Sequence, residues 1–184
     1  YSINTAYQSG FNAGKKIEAY AVVGFLGVIF NAGAKMRVGG QGAYASGGDN
    51  SGSTYHTFDP LYPTPHMTYG QADMASLRNL SGFGVDYTVW FTPALNLRID
   101  YWYATRTSTS DGWYAVTGKE ATTAATLAGA TQLYHEIDAR LDYKARDFLL
   151  FQAGYAYAMR GKALKAAGKN ADYQYAYLMS TILF

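Results

Sequence analysis

"LNLRIDYWYATR", residues 95–106, alternates along most of its length. Leu95, Leu97, Ile99, Tyr101 and Tyr103 fall on one side of an extended chain. Asn96, Arg98, Asp100, Trp102 and Arg106 fall on the other. A period of two is the signature of a strand with one apolar and one polar face. "HEIDARLDYK" (135–144) repeats it, with Ile137, Ala139, Leu141 and Tyr143 opposing Glu136, Asp138, Arg140, Asp142 and Lys144. "FQAGYAYAMR" (151–160) sets Phe151, Tyr155, Tyr157 and Met159 against Gln152, small residues and Arg160.

Working outward, eight such segments run at about 1–10, 16–30, 34–46, 79–91, 95–107, 132–144, 147–160 and 172–184. Each is near the length that a tilted membrane strand needs. The connections also alternate. "NAGA" (31–34), "TPAL" (92–95) and "KARD" (144–147) are tight turns, whereas 47–78, 108–131 and 161–171 are long. "FNAGKK" (11–16) is the one short connection on the long-loop side. Short turns at one end and long loops at the other define an up-and-down outer-membrane barrel. The expected fold is therefore all-β: an antiparallel transmembrane β-barrel, read as one domain over residues 1–184.

Composition narrows the class. The chain has 184 residues, no cysteine, 18 Tyr, 20 Gly and only 15% charged residues. Tyr and Gly together fit a pleated surface with aromatic girdles. A net charge of +2 gives no strong pull on nucleic acid, so none is expected as a partner. The longest apolar run, "AYAVVGFLGVIF" (19–30), is too short for a membrane helix and holds two glycines. The sequence starts without Met or a signal peptide, which points to a processed chain or a part of something longer. It ends "YAYLMSTILF", with Leu178 and Ile182 spaced before a terminal Phe184. That ending suits a last strand read by barrel-assembly machinery. The expected surroundings are outer-membrane lipids and lipopolysaccharide.

No catalytic motif is present: there is no G-x-S-x-G, H-E-x-x-H or phosphate-binding glycine pattern. His135 has no sequence partner for a triad. His56 and His66 with Asp49 or Asp59 give only a weak metal pattern, and "GGDNSGSTYHTFD" (47–59) lacks EF-hand spacing. No metal, cofactor or catalytic residue is therefore expected. The polar faces carry the chemistry instead. Glu18, Arg37, Asp86, Arg98, Asp100, Arg106, Glu136, Asp138, Arg140, Asp142 and Arg160 are expected inside the barrel. A dry core could not hold so many charges, so water or a dense ion-pair lattice must accompany them. Cross-strand pairs account for most of them on one reading. On the other, unpaired arginines form a ladder for anionic solute.

"FDPLYPTPHMTYGQADM" (58–74) followed by "LRNL" (77–80) resembles a signature of the alginate-export porin family, F-D-P-L-[FY]-P-T-x-H-x-x-[YW]-G-x-x-D with R-N soon after. "YASGGDN" (44–50), "DGWYAVTG" (111–118), "HEIDARLDYKARDFLLFQAGYAYAMRG" (135–161) and the ending 171–184 resemble further family segments, in order. Pro65 departs from the family's usual Gly or Asn. The resemblance implies a barrel of about eighteen strands, large enough for an aqueous channel, of which these would be the C-terminal part. It implies a Gram-negative outer membrane, passage of an anionic polysaccharide or small anionic solute, and service to periplasmic export components. It also implies that Arg98, Arg106, Arg140 and Arg160 support passage, beside Asp100, Glu136 and Asp138. Asp59, His66, Tyr69 and Asp73 are the candidates for a loop expected at the extracellular mouth, where it would restrict the pore. The competing expectation is a complete eight-stranded barrel with a structural or adhesion role. Its first strand would hydrogen-bond its last.

Overall fold

The computed structural model describes residues 1–61 and 68–184. In chain order the strands are β1 (Ser2–Asn12), β2 (Lys15–Asn31), β3 (Lys35–Ala45), β4 (Thr54–Tyr55), β5 (Leu80–Thr92), β6 (Leu95–Arg106), β7 (Trp113–Tyr114), β8 (Glu120–Thr122), β9 (Gln132–Arg146), β10 (Leu149–Arg160) and β11 (Tyr173–Ile182). One short helix, α1 (Lys162–Ala166), precedes β11. The eight long strands lie within two residues of the expected segments. They pair sequentially and antiparallel in the order β1-β2-β3-β5-β6-β9-β10-β11.

The sheet is inside out by the standard of a soluble domain. Along β5, Phe83, Val85 and Tyr87 are exposed while Asp86 and Thr88 are buried. Register carries this parity across the sheet: Val85 faces Tyr101, which faces Ile137, and Asp86 faces Asp100, which faces Asp138. Ile3 and Leu178, on the two outermost strands, are 72% and 81% exposed. Such an apolar band stays out of water only in lipid. No helix among the described residues is long and apolar enough to cross a membrane.

One expected inward charge is reversed. Ser9 faces Glu18 and Tyr7 faces Tyr20, placing Glu18 on the outward face, where Lys16 pairs with it. Ala19 and Ala21 hold the inward positions of β2 and pack with Ala45 and Phe58. Apolar residues on both faces of β2 hide its parity.

The main core lies on the inward face, toward the long loops. Leu80, Trp102, Ala104, Leu133, Tyr134, Ala156 and Ala158 of the wall meet Ala72, Met74 and Ala75 of the 46–79 connection, Leu127 of the 107–131 connection and Leu164 of α1. β4 continues the first of these loops onto β2, in parallel. Among the described residues β1 pairs only with β2, and β11 only with β10. The β1–β11 pairing expected of a closed eight-stranded barrel is not among the pairings of the described residues.

Candidate functional site

Charge is arranged in rows across the inner wall. One row reads Arg37, Thr88, Arg98 and Arg140, each facing the next. Two residues nearer the long loops, the next reads Asp86, Asp100 and Asp138. Beyond it stand Trp102 and Glu136. Like charges directly opposite each other repel, and the neighbouring row relieves this. Arg37 pairs with Asp86. Arg98 grips Asp100 with Nε and Nη2, the latter at 2.6 Å, and lies 4.0 Å from Asp86. Arg140 reaches Asp142, on the far side, at 3.2 Å. The ion pairs thus run along strands and on diagonals rather than straight across. The arginines stay partly exposed, whereas Asp86, Asp100 and Asp138 are buried.

The 46–79 connection turns into this interior. At Tyr69, Gly70 and Asp73 the backbone takes positive φ, which curls successive amides toward the wall. The amide of Ala72 donates to Glu136 Oε1 at 2.7 Å, and that of Gln71 to Asp138 Oδ2 at 3.3 Å. Tyr134 donates its hydroxyl to the Tyr69 carbonyl at 2.6 Å, and Tyr177 donates to Gln71 Oε1 at 3.0 Å. The Tyr69 ring packs on Trp102, with centroids 5.9 Å apart. Burial raises the Tyr69 hydroxyl pKa, so it stays a neutral phenol. Glu136 is fully buried and Asp138 nearly so, and their two carboxyls share a side-chain hydrogen bond.

The expected site residues therefore separate. Arg98, Asp100, Glu136, Asp138 and Arg140 share one wall. Arg106 does not join them: its guanidinium is buried under the second long loop, donating to the carbonyls of Ala130, Thr109 and Asp111. Arg160 stands at the end of β10, facing Tyr134, and its amide donates to Asp172. Asp59 is exposed and pairs with Arg78 at 3.2 Å. Asp49 accepts the Ser51 amide, which lowers its pKa. Tyr69 and Asp73 sit in the inward loop. His66 lies outside the described residues, as do Pro63 and Pro65.

The long loops are knotted together above this wall. Asp111 accepts from the Gly48 amide, the Thr57 hydroxyl and the Tyr114 hydroxyl. Burial, then that bond to Asp111, pushes the Tyr114 pKa far up and keeps it a donor. Asn79 donates to the carbonyls of Ser108 and Gly112 and accepts the Ser108 amide. Arg78 lies over the Tyr114 ring at 4.6 Å and donates to Gly118 O and Tyr55 Oη.

The sequence profile described as Alginate export matches residues 1–177. The chain belongs to the alginate export family. This is an outer-membrane family of β-barrel transport proteins. No curated protein matches the chain. In this alginate-export chain, the segments that resemble the family in sequence are the ones that meet in space. Arg78 and Asn79 of "LRNL" join Asp111 and Tyr114 of "DGWYAVTG". Tyr69 to Ala72 of the first signature meet Tyr134 and the carboxyls of "HEID". Sequence reading missed Gly70, Tyr134, Tyr177 and Asp111 as site residues. The signal for most of them was there, since Gly70, Asp111 and Tyr177 stand inside the quoted segments.

Proposed function

We propose that this protein is an outer-membrane channel that passes carboxylate-bearing solutes along the arginine row, past a constriction made by residues 68–76. The observation that supports this is the pairing of a lipid-facing apolar exterior with an interior of partly exposed arginines. A water-filled lumen accounts for that interior at little desolvation cost. Guanidinium groups bind carboxylates well. Solute from the loop side would meet the inward loop first, then the aspartate row, then the arginines. The role is transport rather than catalysis. Insertion through β11 and the terminal Phe184 that follows it, contact with lipopolysaccharide and work alongside periplasmic export components belong to the same reading.

The whole protein in planar bilayers is expected to conduct. Arg98→Gln and Arg140→Gln together are expected to move the reversal potential toward cations. Steady absence of current, or a reversal potential that ignores both substitutions, would sink the reading.

A further inference from the structure

Glu136 and Asp138 stand two residues apart on the inward face of β9, 0% and 2% exposed. The inward loop is fastened to both, through the amide of Ala72 on one carboxyl and that of Gln71 on the other. The second oxygens, Glu136 Oε2 and Asp138 Oδ1, find no other donor among the described residues. The two carboxyls hydrogen-bond each other instead. An ionised carboxylate only accepts, so a bond between two carboxyls requires a proton. The latched pair therefore carries one negative charge, not two. The nearby cations are engaged elsewhere. On β6, Asp100 faces Asp138, and Arg98 pairs with Asp100 and reaches Asp86. On β9, Arg140 engages Asp142, and Tyr134 gives its hydroxyl to Tyr69. β10 faces the pair with Ala156 and Ala158, and β11 brings Tyr175 and Tyr177 to the next positions. The loop itself carries Tyr69 and Asp73. α1 and the 107–131 connection pack over this core with Ala163, Leu164 and Leu127.

We propose that this carboxyl pair is a proton-operated latch on the constriction: it holds residues 68–76 inward while it keeps the shared proton and frees them when the proton is lost. Loss of the proton leaves two negative charges in hydrogen-bond contact and out of water. Carboxylates so placed do not both ionise without cost. That repulsion exceeds what two amide bonds gain on becoming charge-assisted. Moving the loop away relieves it, because each carboxyl then meets water and ionises as an ordinary carboxylate. The proton passes to solvent. A cavity of about 270 Å³, lined in part by Gly70, Gln71 and Arg140, gives water a place beside the loop. The latched state binds about one proton more than the released state above about pH 5. Release is therefore favoured as pH rises, by up to about tenfold per pH unit. As a gate the latch rests on the channel reading; as a fastening of the loop it does not.

Two measurements on the whole protein, between about pH 5 and about pH 9, test this. In planar bilayers, single-channel conductance is expected to rise with pH. Glu136→Gln is expected to keep it small throughout, because the glutamine oxygen still accepts from Ala72 and its amide gives Asp138 a permanent hydrogen. In detergent micelles, Ala72→Cys is labelled with a water-soluble thiol reagent; the native chain has no cysteine, and residue 72 keeps its amide. The same cysteine beside Glu136→Gln corrects for ionisation of the thiol itself. Relative to it, labelling is expected to speed up by about tenfold or more across the range. A labelling ratio that ignores pH overturns the latch, whether or not the protein conducts. So does Glu136→Gln with the pH response of the current retained. Labelling that responds to pH while conductance stays flat overturns the gate and leaves the channel reading intact. If Glu136→Gln fails to assemble, Asp138→Asn replaces it with the same expectations. If neither assembles, the conductance of the unsubstituted protein decides, and a curve flat in pH overturns the proposal. A protein that never conducts removes the channel reading, and the labelling ratio then decides the latch alone.

Discussion

A side chain at position 70 would collide with the Glu136 carboxyl, and the backbone there has φ +100°. Both facts come from one geometry: the loop must come close enough for the next two amides to reach Glu136 and Asp138. Glycine is the residue that allows this, having no Cβ and no penalty at positive φ. Alanine there costs about 1 kcal/mol or more in backbone conformation alone, before the collision is counted. The knot formed by Asp111, Asn79 and Arg78 does not involve Gly70, so the substitution should release the loop tip without dismantling the loops. Gly70→Ala is therefore expected to give a normally assembled protein with larger single-channel conductance and faster proteolysis within 68–76. Unchanged conductance would show that the tip does not limit the pore.

At the scale of the strand, parity decides what each position tolerates. Ile99 is outward and lies between Tyr87 and Ala139, well away from both ends of β6. Ile99→Arg puts a charge into the lipid band at a cost of about 2–4 kcal/mol near the midplane. It is expected to reduce the heat-modifiable, folded fraction on gels, whereas Asn96→Arg, on the inner face, is expected to assemble. Equal assembly of the two would contradict the assigned faces. The same parity explains what could be read from the sequence. The eight long strands were legible because ten or so residues of alternation leave little room for another period. β4, β7 and β8 span two or three residues and α1 five, too few for any period to register. Glu18 was assigned to the wrong face because β2 is apolar on both. Arg106 keeps the inward parity that its strand predicts, but the loop that buries it comes from residues 107–131, which alternation does not describe. The latch at 69–72 rests on backbone amides, and those have no sequence letter beyond the glycine that permits them.

At the scale of the molecule, the two outermost strands raise the main question. β1 and β11 each offer one side with no backbone partner among the described residues. Within a bilayer those amides and carbonyls must be satisfied, because no water is present to do it. They can pair with each other, closing eight strands, or each with a further strand. An eight-stranded barrel has an interior that side chains alone can fill. This interior also has to hold residues 68–76, the aromatic packing of Tyr69 on Trp102, and a cavity among charged rows. That content favours the wider barrel and edges that pair elsewhere. A cysteine scan tests it without assuming a register. Single cysteines through Ile3 to Ser9 are combined with single cysteines through Gln174 to Ser180, and the assembled protein is oxidised in its membrane. The native chain has no cysteine, so any bridge comes from the introduced pair. No pair is expected to form a disulfide within one chain. A run of disulfides along one register would show that β1 and β11 are neighbours, that the barrel closes at eight, and that the interior is too narrow for the passage proposed.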